Sequence, residues 1–121
     1  MDAAVAIRAQ DGEVRGRVVE ALRALGPGLH LVADQEALHA FETDAYISHR
    51  ATPLAAVLPR EEEEVRRVVA ACMALGVPVV SRGAGTGISG GAIPDPEGVL
   101  LVLTRMNRVL SINAEDLLVT V

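Results

Sequence analysis

At 121 residues with a net charge of −5, the chain has the length of one domain, and its eleven cations, all arginine, leave no basic surplus for nucleic acid. Half of it is apolar but only 2 % aromatic (Phe41 and Tyr46), so the core must be aliphatic and aromatic platforms for single strands are missing. Cys72 is the single cysteine, which excludes an internal disulfide and a cysteine metal cluster; with no signal-like start and no apolar run near the ~18 residues of a membrane span, a cytoplasmic setting is the default.

Residues 1–10 read as a frayed or helical leader. From Asp11 to Leu25 the spacing of Val14, Val18, Ala21, Leu22 and Leu25 predicts an amphipathic helix, stopped by Gly26-Pro27 and weakened slightly by Gly16. Leu29–Ala33 suggests a short strand, and Asp34 an N-cap for a helix reaching about Ala40. Residues 41–50 have no period and read as a surface loop, in which Thr43-Asp44 suits a turn or a cap.

Pro53 opens a buried strand over 54–58 and Pro59 closes it. Glu61 to Leu75 predicts the best helix in the chain, with Val65, Val68, Val69 and Cys72 on one face and Gly76-Val-Pro78 as its stop. Its four leading glutamates suit the positive end of a helix dipole; as adjacent helix positions they do not converge on one metal ion, and no metal site is expected. With a strand at 77–81 this makes a βαβ unit of parallel strands with a right-handed crossover. A third strand is expected at 99–103, then a hairpin of 109–112 and 117–121 about a turn at 113–116. His30, His39 and His49 have no partner spacing and carry no site.

Five of the chain's 11 glycines fall at 83, 85, 87, 90 and 91, directly after the strand Val77–Val80 and Ser81-Arg82. Such a cluster serves positive φ or a ligand lying on the backbone, where successive N–H groups converge on an anion such as a diphosphate. Gly85-Thr-Gly-Ile-Ser-Gly90 matches G-x-G-x-x-G formally, but the helix that a Rossmann fingerprint requires is blocked by Pro94, Pro96 and Gly98, and no acid follows at the ribose distance. A P-loop needs a lysine, and the chain has none. The anion must be held without a helix dipole, by amides and Arg82.

Val57-Leu-Pro-Arg60, the acidic helix start, the whole of 77–92 and Arg105-Met-Asn-Arg-Val-Leu110 together resemble the FAD-binding domain of FAD-linked oxidases of the vanillyl-alcohol oxidase (PCMH) type. Within that family the resemblance is closest to the glycolate oxidase FAD subunit and D-lactate dehydrogenase group. It implies an α/β (α+β) fold, with 1–52 a helical lead-in and 53–121 the N-terminal, incomplete part of the FAD-binding domain. It assigns the FAD pyrophosphate to Arg82, Gly83, Ala84, Gly85, Thr86 and Gly87, then Ser89, Gly90 and Gly91, and puts Pro59 at the adenine end. Arg105 and Arg108 read as surface residues.

Some relatives attach the flavin covalently through a histidine where Thr86 stands here, which implies a noncovalent flavin. The family favours Thr or Ser where Glu61 stands, and losing that N-cap costs up to about 1 kcal/mol, partly offset by charge against the dipole. The resemblance implies oxidation of a small 2-hydroxy acid such as glycolate or D-lactate, with an iron–sulfur subunit as a further partner. Family enzymes are several times longer and take their substrate residues from parts beyond this one, so no catalytic residue is named, and a fragment or a part of a larger assembly is expected. Exposed apolar surface near 99–121 then implies self-association into a homo-oligomer. The alternative is a noncatalytic nucleotide- or phosphate-binding module or assembly piece.

Overall fold

The strand Val99–Val102 is apolar throughout and buried at every position, so it takes the middle of the sheet. A computed structural model describes residues 3–121, with side chains from Gly12 onward. In chain order the main elements are α1 (Ala3–Arg23), β1 (His30–Val32), α2 (Gln35–Leu38), β2 (Ala55–Leu58), α3 (Glu62–Leu75), β3 (Val79–Arg82), β4 (Val99–Val102), β5 (Ser111–Asn113) and β6 (Leu118–Thr120). The first four strands form one sheet in the order β1-β2-β4-β3, and β5 and β6 form a separate antiparallel pair.

β2 and β3 each run parallel to β4, in registers that set Ala55 and Val79 opposite Val99, while β1 lies antiparallel to β2. β2 and β3 therefore point the same way, as their βαβ pattern predicts, but they are not neighbours. The all-apolar β4 inserts between them, and β3, whose Ser81 is exposed, is left as an edge.

Alternation along the strands divides the core in two. Ala55, Val57, Val99 and Leu101 meet Val18, Val19 and Leu22 of α1 and Val68 and Cys72 of α3. Ala56, Leu100 and Val102 meet Leu38 on the other face, flanked by Phe41, Leu58 and Val80. The lead-in and the remainder of the chain thus contribute to the same two core clusters.

α1 starts earlier than its periodicity suggests, running through Gly12 and Gly16, and its buried stripe is Val18, Val19 and Leu22, with Val14 left 42 % exposed. Asp34 caps α2 as expected, its Oδ1 accepting from the Ala37 N–H at 3.0 Å, and a 3-10 turn, His39–Phe41, completes that segment. α3 has no side-chain cap at Glu61. Glu64 compensates from within the helix, its Oε2 accepting the Arg60 N–H at 2.7 Å. Cys72 is buried among Val68 and its neighbours, and that burial pushes its thiol pKa up, so it is a packing residue.

The β5–β6 hairpin leaves an apolar face open. Ile112 pairs with Val119, and Leu110 and Val121 continue the same face; these four are 62, 72, 56 and 75 % exposed in chain order. A two-stranded ribbon with one uncovered apolar face is marginal in water. The isolated 121-residue chain is therefore expected to self-associate as its concentration rises in sedimentation, and Ile112→Lys to suppress that association. A clean monomer at high concentration would remove this hairpin as a contact surface.

Candidate phosphate-binding loop

The loop stands at the carboxyl end of β3, where a parallel sheet directs its strand termini toward ligands. Val80 and Arg82 share a face of β3 by alternation, the face that also carries Phe41. The Arg82 guanidinium stays on this side and donates from Nη1 to the Phe41 carbonyl at 3.1 Å. β3 and β4 are parallel neighbours, so the chain must return to the far end of the sheet before β4 starts. Residues 83–98 make that return without any helix, as Pro94 and Pro96 require.

Two glycines are needed by the loop itself. Gly85 has φ +72°, and a Cβ there would lie 2.8 Å from Cζ of Arg82; Gly90 has φ +76°, and a Cβ there would lie 3.4 Å from the Tyr46 ring. Gly83, Gly87 and Gly91 are different. None has φ in the left-handed range, and a Cβ on any of them would meet nothing within 4 Å. Nothing inside the chain calls for glycine at these three positions.

The backbone donors point to the same conclusion. Among the described residues, no amide from Ala84 to Gly91 donates a hydrogen bond within the chain. The Gly85 carbonyl, by contrast, is occupied, accepting the Ala45 N–H at 2.8 Å. A planar trans peptide sets N–H opposite C=O, so tying the Gly85 carbonyl to residue 45 turns the Thr86 N–H the other way. The result is a run of free amides, with a guanidinium behind Gly85 and little side-chain cover, which is what an oxyanion needs.

The segment under the loop was legible only as irregular chain. Asp44 is 5 % exposed, and its carboxylate accepts from Tyr46 N–H at 2.7 Å and from Ala92 N–H at 3.4 Å. The turn expected for Thr43-Asp44 is thus present, and it reaches the loop as well. Glu42 closes the same segment: it accepts Thr52 Oγ1 at 2.6 Å through its carboxylate and Ala51 N–H through its carbonyl. The Thr52 hydroxyl, then His39, hold its pKa below the usual carboxylate range.

Residues 83–91 follow Arg82 directly at the end of β3, with its guanidinium packed behind Gly85. Pro59 lies elsewhere, at the end of β2, two strand spacings or about 10 Å across the sheet. Its side chain is fully buried where β2 ends. Between the ends of β2 and β4 a cleft of about 710 Å³ opens, lined by Gly28, Thr104 and Asn107, the cations Arg60, Arg105 and Arg108 and the acids Glu61 and Glu64. Arg105 is half-buried there, with Nη1 2.8 Å from Nδ1 of His30, and Arg108 is exposed. Among the described residues no grouping of His, Cys, Asp and Glu could hold a metal ion, and no helix is long and apolar enough to cross a membrane.

A profile described as FAD binding domain matches residues 53–121. The chain belongs to this FAD-binding family. It is 46 % identical over 99 residues to glycolate oxidase subunit GlcD of Escherichia coli K12, covering 82 % of this chain and 20 % of that protein. It is 31 % identical over 112 residues to a D-lactate dehydrogenase of Anaerostipes hadrus, covering 93 % of this chain and 24 % of that enzyme. Among solved structures, an alkyldihydroxyacetonephosphate synthase superposes with TM-score 0.69 at 26 % identity, over 83 % of this chain and 21 % of that one. The chain spans about a fifth of the length of GlcD.

The mixed α/β fold and the likeness to flavin-linked oxidases agree with the expectation from sequence, and FAD is the cofactor of the domain. The residues present fit it: free amides, Arg82 and three uncovered glycines offer what a diphosphate would contact.

Proposed function

We propose that this chain supplies the pyrophosphate-holding loop of a flavin-dependent oxidoreductase that oxidises a small 2-hydroxy acid of the glycolate or D-lactate type. The observation that carries the loop assignment is the unbroken run of unpaired amides from Ala84 to Gly91, beside glycines whose missing side chains serve no internal purpose. Ala84, Gly85, Thr86 and Gly87 would donate backbone N–H groups to the diphosphate, with Ser89, Gly90 and Gly91 continuing the surface, and Gly83 would leave the approach open. Arg82 would add its positive charge from behind the loop. Pro59 enters only through the turn that directs the chain toward the adenine end.

When bound, the flavin supplies the hydride acceptor for oxidation of the hydroxy acid. The part of this chain is to bind and orient. Thr86 stands where a covalent link would need a histidine, so the flavin is held noncovalently. The substrate class is supported by the likeness to GlcD and to the D-lactate dehydrogenase. The remainder of such an enzyme, an iron–sulfur subunit and a second copy are its proposed partners, and the cytoplasm its proposed place. We take 53–121 as the flavin-binding part and 1–52 as its lead-in.

Two measurements test this. Titrating the isotope-labelled 121-residue chain with inorganic pyrophosphate, ADP or FAD should shift the amide signals of 84–91 first, with saturation only at high ligand, because the ring-binding half is absent and the ordering cost remains. Shifts confined to other residues would move the site. In a full-length protein carrying this chain, acid precipitation should release all flavin into the supernatant, and glycolate or D-lactate should bleach the flavin colour under anaerobic conditions. Flavin that stays with the precipitate would show a covalent bond.

A further inference from the structure

Residues 44, 45 and 46 each touch the glycine loop, and at three different places. The Asp44 carboxylate takes the Ala92 N–H at 3.4 Å, the Ala45 N–H donates to the Gly85 carbonyl at 2.8 Å, and the Tyr46 ring lies under Gly90, 3.4 Å from where a Cβ would stand. Asp44 also sets the shape of this tripeptide, since its other oxygen accepts the Tyr46 N–H at 2.7 Å. The Asp44 carboxylate belongs to a residue only 5 % exposed, and among the described residues it forms no ion pair and takes its side-chain hydrogen bonds from two backbone amides. One of its bonds shapes the floor itself and the other joins the floor to the end of the loop.

We infer that Asp44 is a positioning residue for the phosphate-binding loop. It fixes the floor 44–46, and the floor holds the Gly85 carbonyl inward so that the amides after it face the ligand. Without that tie the peptide after Gly85 is free to rotate, and the loop must be ordered at the moment of binding, which lowers affinity. This inference rests on the reading of 84–91 as the anion loop.

The test is the amide-shift titration of the chain with inorganic pyrophosphate, for wild type, Asp44→Ala, Asp44→Asn and Val68→Ala. Val68 is fully buried on the opposite face of the sheet, so its truncation lowers stability without touching the loop. Asp44→Ala is expected to weaken pyrophosphate by about tenfold and to speed hydrogen exchange at Ala45 and Ala92, while Val68→Ala leaves affinity unchanged. Asp44→Asn keeps an oxygen for Tyr46 N–H but sets an amide N–H₂ against Ala92, so its loss should be intermediate.

Wild-type affinity in a folded Asp44→Ala overturns the inference, and so does an equal loss in Val68→Ala, which would make the effect one of stability. Should Asp44→Ala not fold, wild-type affinity in Asp44→Asn overturns it. A wild-type chain in which pyrophosphate shifts none of 84–91 overturns the loop reading itself, and the two failures are told apart by that control.

Discussion

Valine at position 87 is expected to abolish pyrophosphate and flavin binding in a chain that folds as before. Gly87 has no neighbour within 4 Å of a Cβ and no left-handed φ, so the folded protein gains the side chain without strain. The valine would project into open space beside amides that make no hydrogen bond within the chain, and it would crowd an anion bound to them by size alone. Gly85→Val should also lose the ligand, by a different route. There the backbone sits at φ +72° and the new side chain would run into the Arg82 guanidinium, so the loop must deform. A Cβ on Gly85 points into the protein, so steric exclusion of the cofactor, the simplest reading of a glycine here, applies to Gly87 instead. The measurements are flavin absorbance kept after desalting in a full-length protein and amide shifts in the chain itself. Full retention by Gly87→Val would place the phosphate elsewhere.

The sequence could reveal the loop because its composition has few explanations: five glycines after an apolar strand, no lysine, and prolines where a helix would start. It could also show the strands, since 99–102 is apolar at every position and 55–58 is bracketed by Pro53 and Pro59. It could not show that β4 lies between β2 and β3, because strand order depends on how all the apolar runs share burial, and each run taken alone looks equally buried. Nor could it show the floor of the site. Asp44 through its carboxylate and Ala45 through its N–H reach the loop across some forty residues of chain, and both bonds end on backbone groups of the loop, which leave no residue-type signature. The signal that could have pointed there was an acid in an aperiodic stretch otherwise lacking a helix to cap. Pro59 shows a related limit: the motif singles the residue out, but that its side chain is buried at the end of an inner strand follows only from the packing around it.

The absence of a helix behind the loop gives the proposed role of Arg82 more weight than a single surface arginine would carry. In a dinucleotide fold the helix N-terminus supplies part of the positive potential; here 92–98 has no helix, and the charge must come from a side chain. Arg82 is half-buried, held by the Phe41 carbonyl, and its guanidinium occupies the space that Gly85 leaves open.

Arg82→Ala is accordingly expected to cost pyrophosphate binding about 1.5–3 kcal/mol, the range for a hydrogen bond to a charged group. Its partnership with Gly85 makes a sharper test through a double-mutant cycle with Gly85→Ala. Alone, Gly85→Ala meets two penalties: a left-handed φ, about 1–2 kcal/mol for an L-residue, and the collision with the guanidinium. With Arg82 already truncated the collision is gone and only the φ term remains. The two substitutions should therefore be less than additive in thermal stability, with a coupling of about 0.5–3 kcal/mol, as for residues in contact. Additive effects would show that the guanidinium does not fill the space beside Gly85 in solution, and the charge behind the loop would then have to be sought among Arg60, Arg105 and Arg108.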